Sequence, residues 1–387
     1  MKTRFGPGSD WDGLVVICAA NNWNDVKLAD RQLAEQLVAH APVLYVDPPI
    51  SHLTRLNKRA ASTARPRLRL AAPGIARYTP VVAPKPNHRA MVGLTSLMVR
   101  RQLRAAVRRL GGDVRAVVST WLLLDVYGAC GEARRVYWWQ DDPVGAADYW
   151  GWSAARLAQG DERLAQASDL IVTVNEGAAQ RWQERGLRAA FVPNGCDAAF
   201  FAGVDEVENP TDVDLPRPVA GFVGHLNGRT DLALLEGVSD AGVSLLLVGP
   251  KDPSFEPERF ARLVNRANVA YVGPQPFEGL RPYLKMIDVG LVPYQLNEFN
   301  QWSFPLKTVE YLAAGRPVVA TSLPAVRGLQ TELVSIADSP ALYAELVLRD
   351  AGLARDPQLV ARRREFAGEH TWARRAQQFA NLLAQPA

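Results

Sequence analysis

The feature that most constrains the fold is a helix-to-strand unit at residues 303–321, SFPLKTVEYLAAGRPVVAT. Pro305 suits the start of a helix, because the N–H that proline lacks has no partner at that position anyway. Apolar residues then recur at helical spacing, and Gly315 ends the helix. The Val-Val-Ala of 318–320 is a short buried strand. A helix that leads directly into a buried strand is typical of an α/β protein.

Two charged side chains lie in the first turns of this predicted helix. Lys307 and Glu310 are three residues apart and therefore share one face. The helix N-terminus attracts phosphate through its free N–H groups and its partial positive charge. A lysine suits an anionic oxygen, and a carboxylate can accept hydrogen bonds from a ribose diol. The alternative interpretation is a solvated Lys–Glu pair on an ordinary amphipathic helix.

The longer string Pro-Leu-Lys-x-x-Glu-Tyr-Leu-Ala-Ala-Gly-x-Pro-Val-Val resembles the nucleotide-sugar motif of GT-B glycosyltransferases. It is most similar to family-four-like bacterial enzymes of the teichuronic-acid and exopolysaccharide type. The resemblance implies an α/β fold of two doubly wound Rossmann-like domains facing a cleft, with a C-terminal helix crossing back to the first domain. It also implies that Glu310 binds the donor ribose and that Lys307 faces the pyrophosphate or the sugar. Many members have another glutamate eight residues earlier, where this chain has Trp302.

The length of 387 residues and the order of the apolar runs predict two domains. We expect an acceptor-binding domain at 1–205, a nucleotide-sugar-binding domain at 218–368 and a crossing helix at 369–387. The acidic, proline-bearing segment 205–218 is interpreted as the linker. The predicted strands are 14–18, 43–46, 114–119, 135–139 and 170–174 in the first domain, and 219–223, 244–248, 269–272, 289–292 and 318–320 in the second.

Two adjacent carboxylates, Asp141 and Asp142, directly follow a predicted strand in the first domain. Ligands of doubly wound sheets bind at the carboxyl ends of strands, so this is a candidate catalytic position. Neighbouring side chains on an extended chain point apart, which predicts that one aspartate deprotonates an acceptor hydroxyl while the other holds the loop. The alternative is an Asx turn before Pro143. The block resembles the corresponding segment of the teichuronic-acid type, and Asp142 is preferred to Asp141 as the base.

Other candidate residues also follow strands. In the family, the loop at 19–25 approaches the donor phosphate and the acceptor, which makes Asn21 and Asn22 candidates, although ordinary turn chemistry also explains them. The family places a basic residue against the diphosphate after the first strand of the second domain. Arg229 is the candidate there, with His225 beside it, and arginine suits bidentate phosphate binding.

The base and the donor sugar have their own candidates. The family holds the base in a loop such as the one containing Pro274 and Gln275. Ser303 begins the main motif, and polar residues just before it could reach the sugar in place of the missing glutamate. These residues are Glu298, Asn300 and Gln301.

The sequence predicts no metal site and no metal requirement. The five histidines form no cluster with metal-ligand spacing. The histidine that retaining members carry after a strand of the first domain is replaced here by Ser119-Thr-Trp121. That replacement, together with the paired aspartates, leaves an inverting displacement open.

A local basic segment predicts an anionic partner. Residues 51–110 contain 14 Lys or Arg and no Asp or Glu, whereas the rest of the chain has 30 basic and 40 acidic residues. Arg100, Arg104 and Arg108 form a stripe on a predicted amphipathic helix that could lie on anionic lipid. A core-facing helix with a solvated basic face is the alternative. Nucleic acid is disfavoured, because no recognition motif or aromatic stacking platform accompanies the charge.

These observations predict a cytoplasmic enzyme that is peripheral on the inner face of the membrane. Three scattered cysteines fit a reducing compartment, and the sequence predicts no signal peptide and no membrane-spanning segment. The predicted reaction moves a sugar from a UDP- or GDP-linked donor to a lipid-linked or polysaccharide acceptor in cell-envelope glycan synthesis. The alternatives are a nucleotide-sugar epimerase of the same fold and a catalytically silent nucleotide-sugar-binding scaffold.

Overall fold

The computed structural model describes residues 9–25, 27–53 and 68–385. The chain forms two compact units. Unit 1 comprises the chain up to Pro193 together with Trp372 onward, and unit 2 comprises Asn194–Thr371. Both units are built on parallel sheets, which confirms the predicted α/β class.

Unit 1 is centred on an eight-stranded sheet in the order β10-β9-β8-β7-β1-β2-β5-β4, in which only the β4–β5 pair is antiparallel. Its strands are β1 (Leu14–Cys18), β2 (Val43–Val46), β3 (Ile50–Ser51), β4 (Arg69–Ala72), β5 (Ile75–Tyr78), β6 (Val81–Val82), β7 (Val114–Ser119), β8 (Arg134–Trp139), β9 (Leu170–Thr173) and β10 (Ala189–Phe191). Strands β3 and β6 form a separate pair. The helices are α1 (Ala29–Leu37), α2 (Val92–Leu110), α3 (Ala147–Trp150), α4 (Ala154–Gln166), α5 (Glu176–Glu184) and the C-terminal α15 (Trp372–Ala384).

The C-terminal helix α15 belongs to unit 1, as the sequence predicted for a helix returning to the first domain. Its apolar face is buried, and Phe379 meets Trp138 of β8 edge to face at 5.9 Å between ring centres. Arg134 donates a hydrogen bond of 2.5 Å to the Leu382 carbonyl near the end of the helix. Aromatic packing and a charge-assisted hydrogen bond thus anchor the chain terminus to the sheet.

Unit 2 contains a six-stranded, wholly parallel sheet in the order β13-β12-β11-β14-β15-β16. Its strands are β11 (Val219–Val223), β12 (Ser244–Val248), β13 (Val269–Gly273), β14 (Val289–Val292), β15 (Val318–Ala320) and β16 (Val334–Ile336). The helices are α6 (Ala198–Ala202), α7 (Leu232–Asp240), α8 (Pro257–Val264), α9 (Arg281–Met286), α10 (Glu298–Gln301), α11 (Leu306–Ala313), α12 (Pro324–Arg327), α13 (Pro340–Ala351) and α14 (Pro357–Gly368). Relative to β11 as the first strand, this is the 3-2-1-4-5-6 order of dinucleotide-binding sheets, with its topological switch point between β11 and β14.

The segment interpreted as a linker lies inside unit 2. Asp205 forms ion pairs with Arg316 at 2.5 Å and with Arg364 at 2.7 Å, and both partners are residues of unit 2. The division between the units therefore falls at Pro193/Asn194 instead of within 205–218. The acidic and proline-rich composition of 205–218 indicated a solvated linker between the domains. In the structure, however, Asp205 takes part in an ion-pair network of unit 2.

None of the helices in the described ranges combines the length and the apolar character needed to cross a membrane. Part of the predicted basic segment, residues 54–67, lies outside the described residues.

Candidate functional site

Helix α11 is fixed over the carboxyl end of β11 by Tyr311. The Tyr311 hydroxyl accepts a hydrogen bond from the Val223 amide at 2.8 Å and donates one to the Gly221 carbonyl at 3.1 Å. Its ring packs on β14, where a Cβ on Gly290 would lie 2.3 Å from the ring. The first turns of α11 therefore lie at the switch point of the sheet, where ligands of such folds bind.

Lys307 extends across the end of β11. Its Nζ donates a hydrogen bond of 2.9 Å to the Tyr294 hydroxyl and lies 5.5 Å from the ring centre of Phe222. A Cβ on Gly224 would lie 2.1 Å from Lys307 Cε, so only glycine leaves room for the lysine side chain at that point. The ammonium is thereby placed at the strand ends with a cation–π contact behind it.

Glu310 lies one turn further along α11 and is half-buried. Burial raises the pKa of the Glu310 carboxyl, and the Lys307 ammonium opposes that rise. A partly desolvated carboxylate forms stronger hydrogen bonds to hydroxyl groups than a fully solvated one does, because water competes less with its partners. The side chain is thus suited to accept hydrogen bonds from a ribose diol.

Arg229 supplies a second cation in the loop after β11. Its Nε donates to Asn300 Oδ1 at 2.8 Å, and the guanidinium carbon lies 4.5 Å from the ring centre of Phe299. Asn300 is fully buried, and its amide group also donates to the Arg229 carbonyl at 3.1 Å and to the Gln295 carbonyl at 2.8 Å. Asn300 therefore positions the arginine and is not available to reach a sugar, contrary to the expectation from the sequence.

The remaining predicted residues of unit 2 differ in accessibility. Ser303 is buried, and its hydroxyl donates to the Asn300 carbonyl at 3.1 Å, so it stabilises the turn before α11. His225 is exposed, and its Nε2 lies 3.2 Å from Asp252 Oδ1. Pro274 is exposed and Gln275 is half-buried, and both follow the carboxyl end of β13. All four lie in segments that follow strands β11, β13 or β14.

The loop after β1 in unit 1 is held from several sides. Trp121 Nε1 donates to the Ala19 carbonyl at 2.7 Å, and the Tyr45 hydroxyl donates to the Asn21 carbonyl at 2.7 Å. The Asn21 side-chain amide donates to Asp30 Oδ2 at 3.3 Å. Asn22 is half-buried, and its carbonyl accepts the Asp25 amide in a turn. Thus Asn21 contributes to loop structure through both its backbone and its side chain.

The two predicted catalytic aspartates have different environments. Asp142 is buried, and its Oδ1 accepts the Val144 amide at 3.1 Å, which is the Asx turn before Pro143. Asp141 is half-buried. In this arrangement Asp142 holds the loop, and Asp141 is the more accessible of the two carboxylates.

Asp161, from α4, is a further buried carboxyl in this region. It accepts the Tyr137 hydroxyl at 2.7 Å. Burial raises the pKa of Asp161 to about 6, and the hydrogen bond from Tyr137 only partly offsets this effect. The charge of Asp142 also contributes to the rise in the pKa of Asp161.

Comparison with known proteins agrees with this geometry. Residues 217–349 match the family model described as "Glycosyl transferases group 1". TuaH of Bacillus subtilis (strain 168), whose name assigns it provisionally as a teichuronic acid biosynthesis glycosyltransferase, is 35% identical over 118 residues. That match covers 30% of this chain and 30% of TuaH.

Two solved structures resemble nearly the whole chain. Sucrose-phosphate synthase from Thermosynechococcus elongatus has a TM-score of 0.72 at 19% identity, covering 96% of this chain and 98% of that one. HepE from Anabaena, solved in complex with UDP and glucose, has a TM-score of 0.64 at 14% identity, covering 96% and 99%. The chain shares the GT-B fold of these structures, and residues 217–349 of its second unit match the group 1 glycosyl transferase model.

The segment that matches the group 1 model contains the charged residues predicted at the donor site. Lys307, Glu310 and Arg229 all fall within 217–349, and the structure brings them to one end of the sheet. Among the described residues there is no group of three His, Cys, Asp or Glu side chains that could hold a metal ion.

Sequence reasoning missed Asp30 and Tyr294. Asp30 lies in the first turn of α1, where an acidic residue is common, so nothing marked its contacts with two loops. Tyr294 follows β14 directly, and its place after a strand was the available signal.

Proposed function

We propose that the protein is an enzyme that transfers a glycosyl group from a nucleoside-diphosphate sugar to a hydroxyl acceptor. The observation that carries this proposal is the convergence of Lys307, Arg229 and Glu310 at the switch point of a group 1 glycosyl transferase domain. The two cations suit a diphosphate, and the carboxylate suits a ribose. HepE, which shares the fold, binds UDP and glucose, and this supports a UDP-linked donor with a GDP-linked donor as the alternative.

Lys307 and Arg229 would neutralise the diphosphate and stabilise the charge that develops on it as the bond to the sugar breaks. In this scheme side-chain cations supply the positive charge, so we propose that donor binding needs no metal ion. Pro274 and Gln275, after β13, would contact the base. His225, which is exposed beside the same strand ends, would lie at the outer edge of the phosphate site.

The acceptor would bind to unit 1 beside the loop that follows β8. Asp141 and Asp142 are the candidates for the general base, which must come within hydrogen-bond reach of the acceptor hydroxyl. The buried Asx turn of Asp142 supports a positioning role for that residue, and the greater accessibility of Asp141 supports it as the base.

We further propose that the acceptor is lipid-linked or part of an envelope glycan and is met at an anionic membrane surface. The name of TuaH supports the glycan class. The outward face of α2 supports the membrane surface, because it combines exposed Leu94 and Leu97 with exposed Arg101, Arg104 and Arg108. Apolar side chains followed by arginines are the pattern of a helix that lies in a lipid interface.

The donor proposal is tested by saturation-transfer NMR of the purified protein with UDP-, GDP-, ADP- and dTDP-sugars. We expect one base class to bind and Glu310→Ala to weaken that binding at least tenfold. Glu345→Ala, which removes an exposed glutamate from α13 in the same unit, is the matched control and should leave binding unchanged. Equal weakening by both substitutions, or no binding to the wild type, would contradict the proposed donor site.

The division of roles between the aspartates is tested by release of nucleoside diphosphate from the donor in the presence of a membrane lipid extract. We expect Asp141→Asn to reduce turnover by about 10²-fold or more with unchanged donor affinity. Asp142→Asn should reduce turnover less, because an asparagine oxygen can still accept the Val144 amide. The reverse order would assign the base to Asp142.

A further inference from the structure

Tyr294 is a buried tyrosine that lies between the two cations of the proposed donor site. Only 6% of its surface is exposed. Its hydroxyl accepts the hydrogen bond from Lys307 Nζ at 2.9 Å, and the Arg229 guanidinium carbon lies 5.2 Å from its ring centre. One side chain therefore contacts both groups to which we assign phosphate binding.

The backbone of Tyr294 is attached to the loop that carries Arg229. Thr230 and Tyr294 form an isolated antiparallel bridge. On either side of it, the Asp231 amide donates to the Pro293 carbonyl at 2.7 Å and the Gln295 amide donates to the Arg229 carbonyl at 2.8 Å. Tyr294 thus cannot leave Lys307 by a simple loop movement without breaking these hydrogen bonds.

The charged groups that face Tyr294 are Lys307 and Glu310 from α11 and Arg229 from the loop after β11. Burial alone would raise the pKa of the phenol, but Lys307 and Arg229 together hold it below its usual value. The Glu310 carboxylate has the opposite effect to the two cations and raises the pKa of the phenol. The cations that would bind the diphosphate are therefore also the groups that favour the phenolate.

We propose that Tyr294 is a positioning residue of the donor site, which holds the Lys307 ammonium in place and makes donor affinity depend on pH. This inference rests on the proposed function. The neutral hydroxyl accepts from Lys307 and leaves its remaining N–H groups for phosphate oxygens. A phenolate would instead act as an internal counter-ion to Lys307 and repel the diphosphate. Since a bound diphosphate opposes ionisation of Tyr294, donor affinity must fall as the phenol ionises.

The test is isothermal calorimetry of UDP-glucose binding between about pH 7 and pH 9.5, with GDP-glucose as the second probe. For the wild type we expect the affinity to fall as the pH rises through this range, because Lys307 and Arg229 lower the pKa of the phenol below its usual value. Tyr294→Phe should bind about three- to tenfold more weakly at pH 7, because one hydrogen bond to a charged group is lost. The affinity of the variant should fall less than that of the wild type as the pH rises. Ionisation of the nucleotide base would affect the wild type and the variant equally.

Tyr283→Phe is the matched control, because the Tyr283 hydroxyl also bonds to a charged group in unit 2, Asp212 Oδ2 at 2.8 Å. It should keep the wild-type affinity and pH profile. In a Lys307→Met background, Tyr294→Phe should have no further effect on binding, since the tyrosine acts through the lysine.

The outcomes separate the inference from the function on which it rests. Equal affinity and an equal pH profile for wild type and Tyr294→Phe would overturn the inference and leave the donor site standing. Additive effects of Tyr294→Phe and Lys307→Met would also overturn it. No binding of either probe to the wild type would overturn the proposed donor site and this inference with it.

Discussion

The side-chain amide of Gln140 donates a hydrogen bond of 2.6 Å to Asp30 Oδ1, while Asp30 Oδ2 accepts the Ala20 amide at 2.9 Å. Gln140 immediately precedes Asp141, and Ala20 belongs to the loop after β1. Because Asp30 is buried, these hydrogen bonds do not compete with bulk water. One carboxylate thus couples the two loops of unit 1 in which acceptor and catalytic residues were predicted.

Exchanging the acid and the amide between positions 30 and 140 tests this coupling. We expect Asp30→Asn and Gln140→Glu each to reduce the free energy of unfolding of unit 1 by about 1–3 kcal/mol, since each leaves a buried group mispaired. The double variant should recover most of the loss, because an asparagine amide can donate to the new carboxylate. Urea unfolding can be followed by tryptophan fluorescence, since nine of the ten tryptophans lie in unit 1. Additive losses in the double variant would show that the two residues do not act as a pair.

Gly224 gives a second prediction, in unit 2. Gly224→Ala places a methyl group where Lys307 Cε and Nζ now lie, at 2.1 and 2.6 Å, so the lysine must move. We expect donor affinity to fall about tenfold or more, as measured by calorimetry, because the ammonium leaves its place at the end of β11. Gly368→Ala is the control, since a Cβ there meets no atom within 4 Å, and it should leave affinity unchanged. Similar losses in the two variants would argue against the role of Gly224 as the space for Lys307.

Much of the fold could be predicted from sequence, because strands and helices of a parallel α/β protein differ strongly in apolar pattern. The strands predicted at 14–18, 219–223 and 318–320 coincide with β1, β11 and β15. Position after a strand also made Arg229 and the two aspartates candidates, because the carboxyl ends of parallel strands share one edge of the sheet. Lys307 and Glu310 became candidates through their place in the first turns of a predicted helix and through the resemblance of their motif.

The contacts between loops could not be predicted, because they depend on three-dimensional proximity that no periodicity encodes. Asp30 is hydrogen-bonded to Gln140, which lies 110 residues away in the sequence, and Asn300 to Arg229, which lies 71 residues away. The charge count was likewise incomplete. Arg77, counted in the basic segment, is buried in β5 with its Nε 2.7 Å from Asp47 Oδ2, so it contributes little to a surface field.

The outward face of α2 predicts binding to anionic vesicles. Arg104→Gln with Arg108→Gln should weaken cosedimentation with phosphatidylglycerol vesicles about 30-fold, since each arginine near an anionic surface contributes about 1 kcal/mol. Binding should also weaken as salt is raised.

Leu94→Ser with Leu97→Ser should reduce vesicle binding as well, because these leucines are 47% and 65% exposed. Leu348→Ser with Leu353→Ser, which alters two leucines each 47% exposed in unit 2, is the matched control. If both leucine pairs behave alike, or if neutral and anionic vesicles bind equally, the membrane surface does not lie on α2.

Asp161 gives a prediction for the pH dependence of stability. Its pKa is raised to about 6 in the folded protein, mainly by burial, so the protonated form is the one that folding favours. The stabilisation from Asp161 is therefore complete below its unfolded pKa of about 4 and is lost as pH rises through about 6.

Asp161→Asn lacks this dependence, because asparagine remains neutral and its oxygen can still accept from the Tyr137 hydroxyl. Between about pH 4.5 and pH 7.5 we expect the stability of the variant relative to the wild type to improve by about 2 kcal/mol. Urea unfolding at several pH values measures this, with Asp148→Asn, an exposed aspartate of α3, as the control. If wild type and Asp161→Asn have parallel pH profiles, the pKa of Asp161 is not raised in the folded protein. The hydrogen bond from Tyr137 and the surrounding dipoles would then offset the effect of burial.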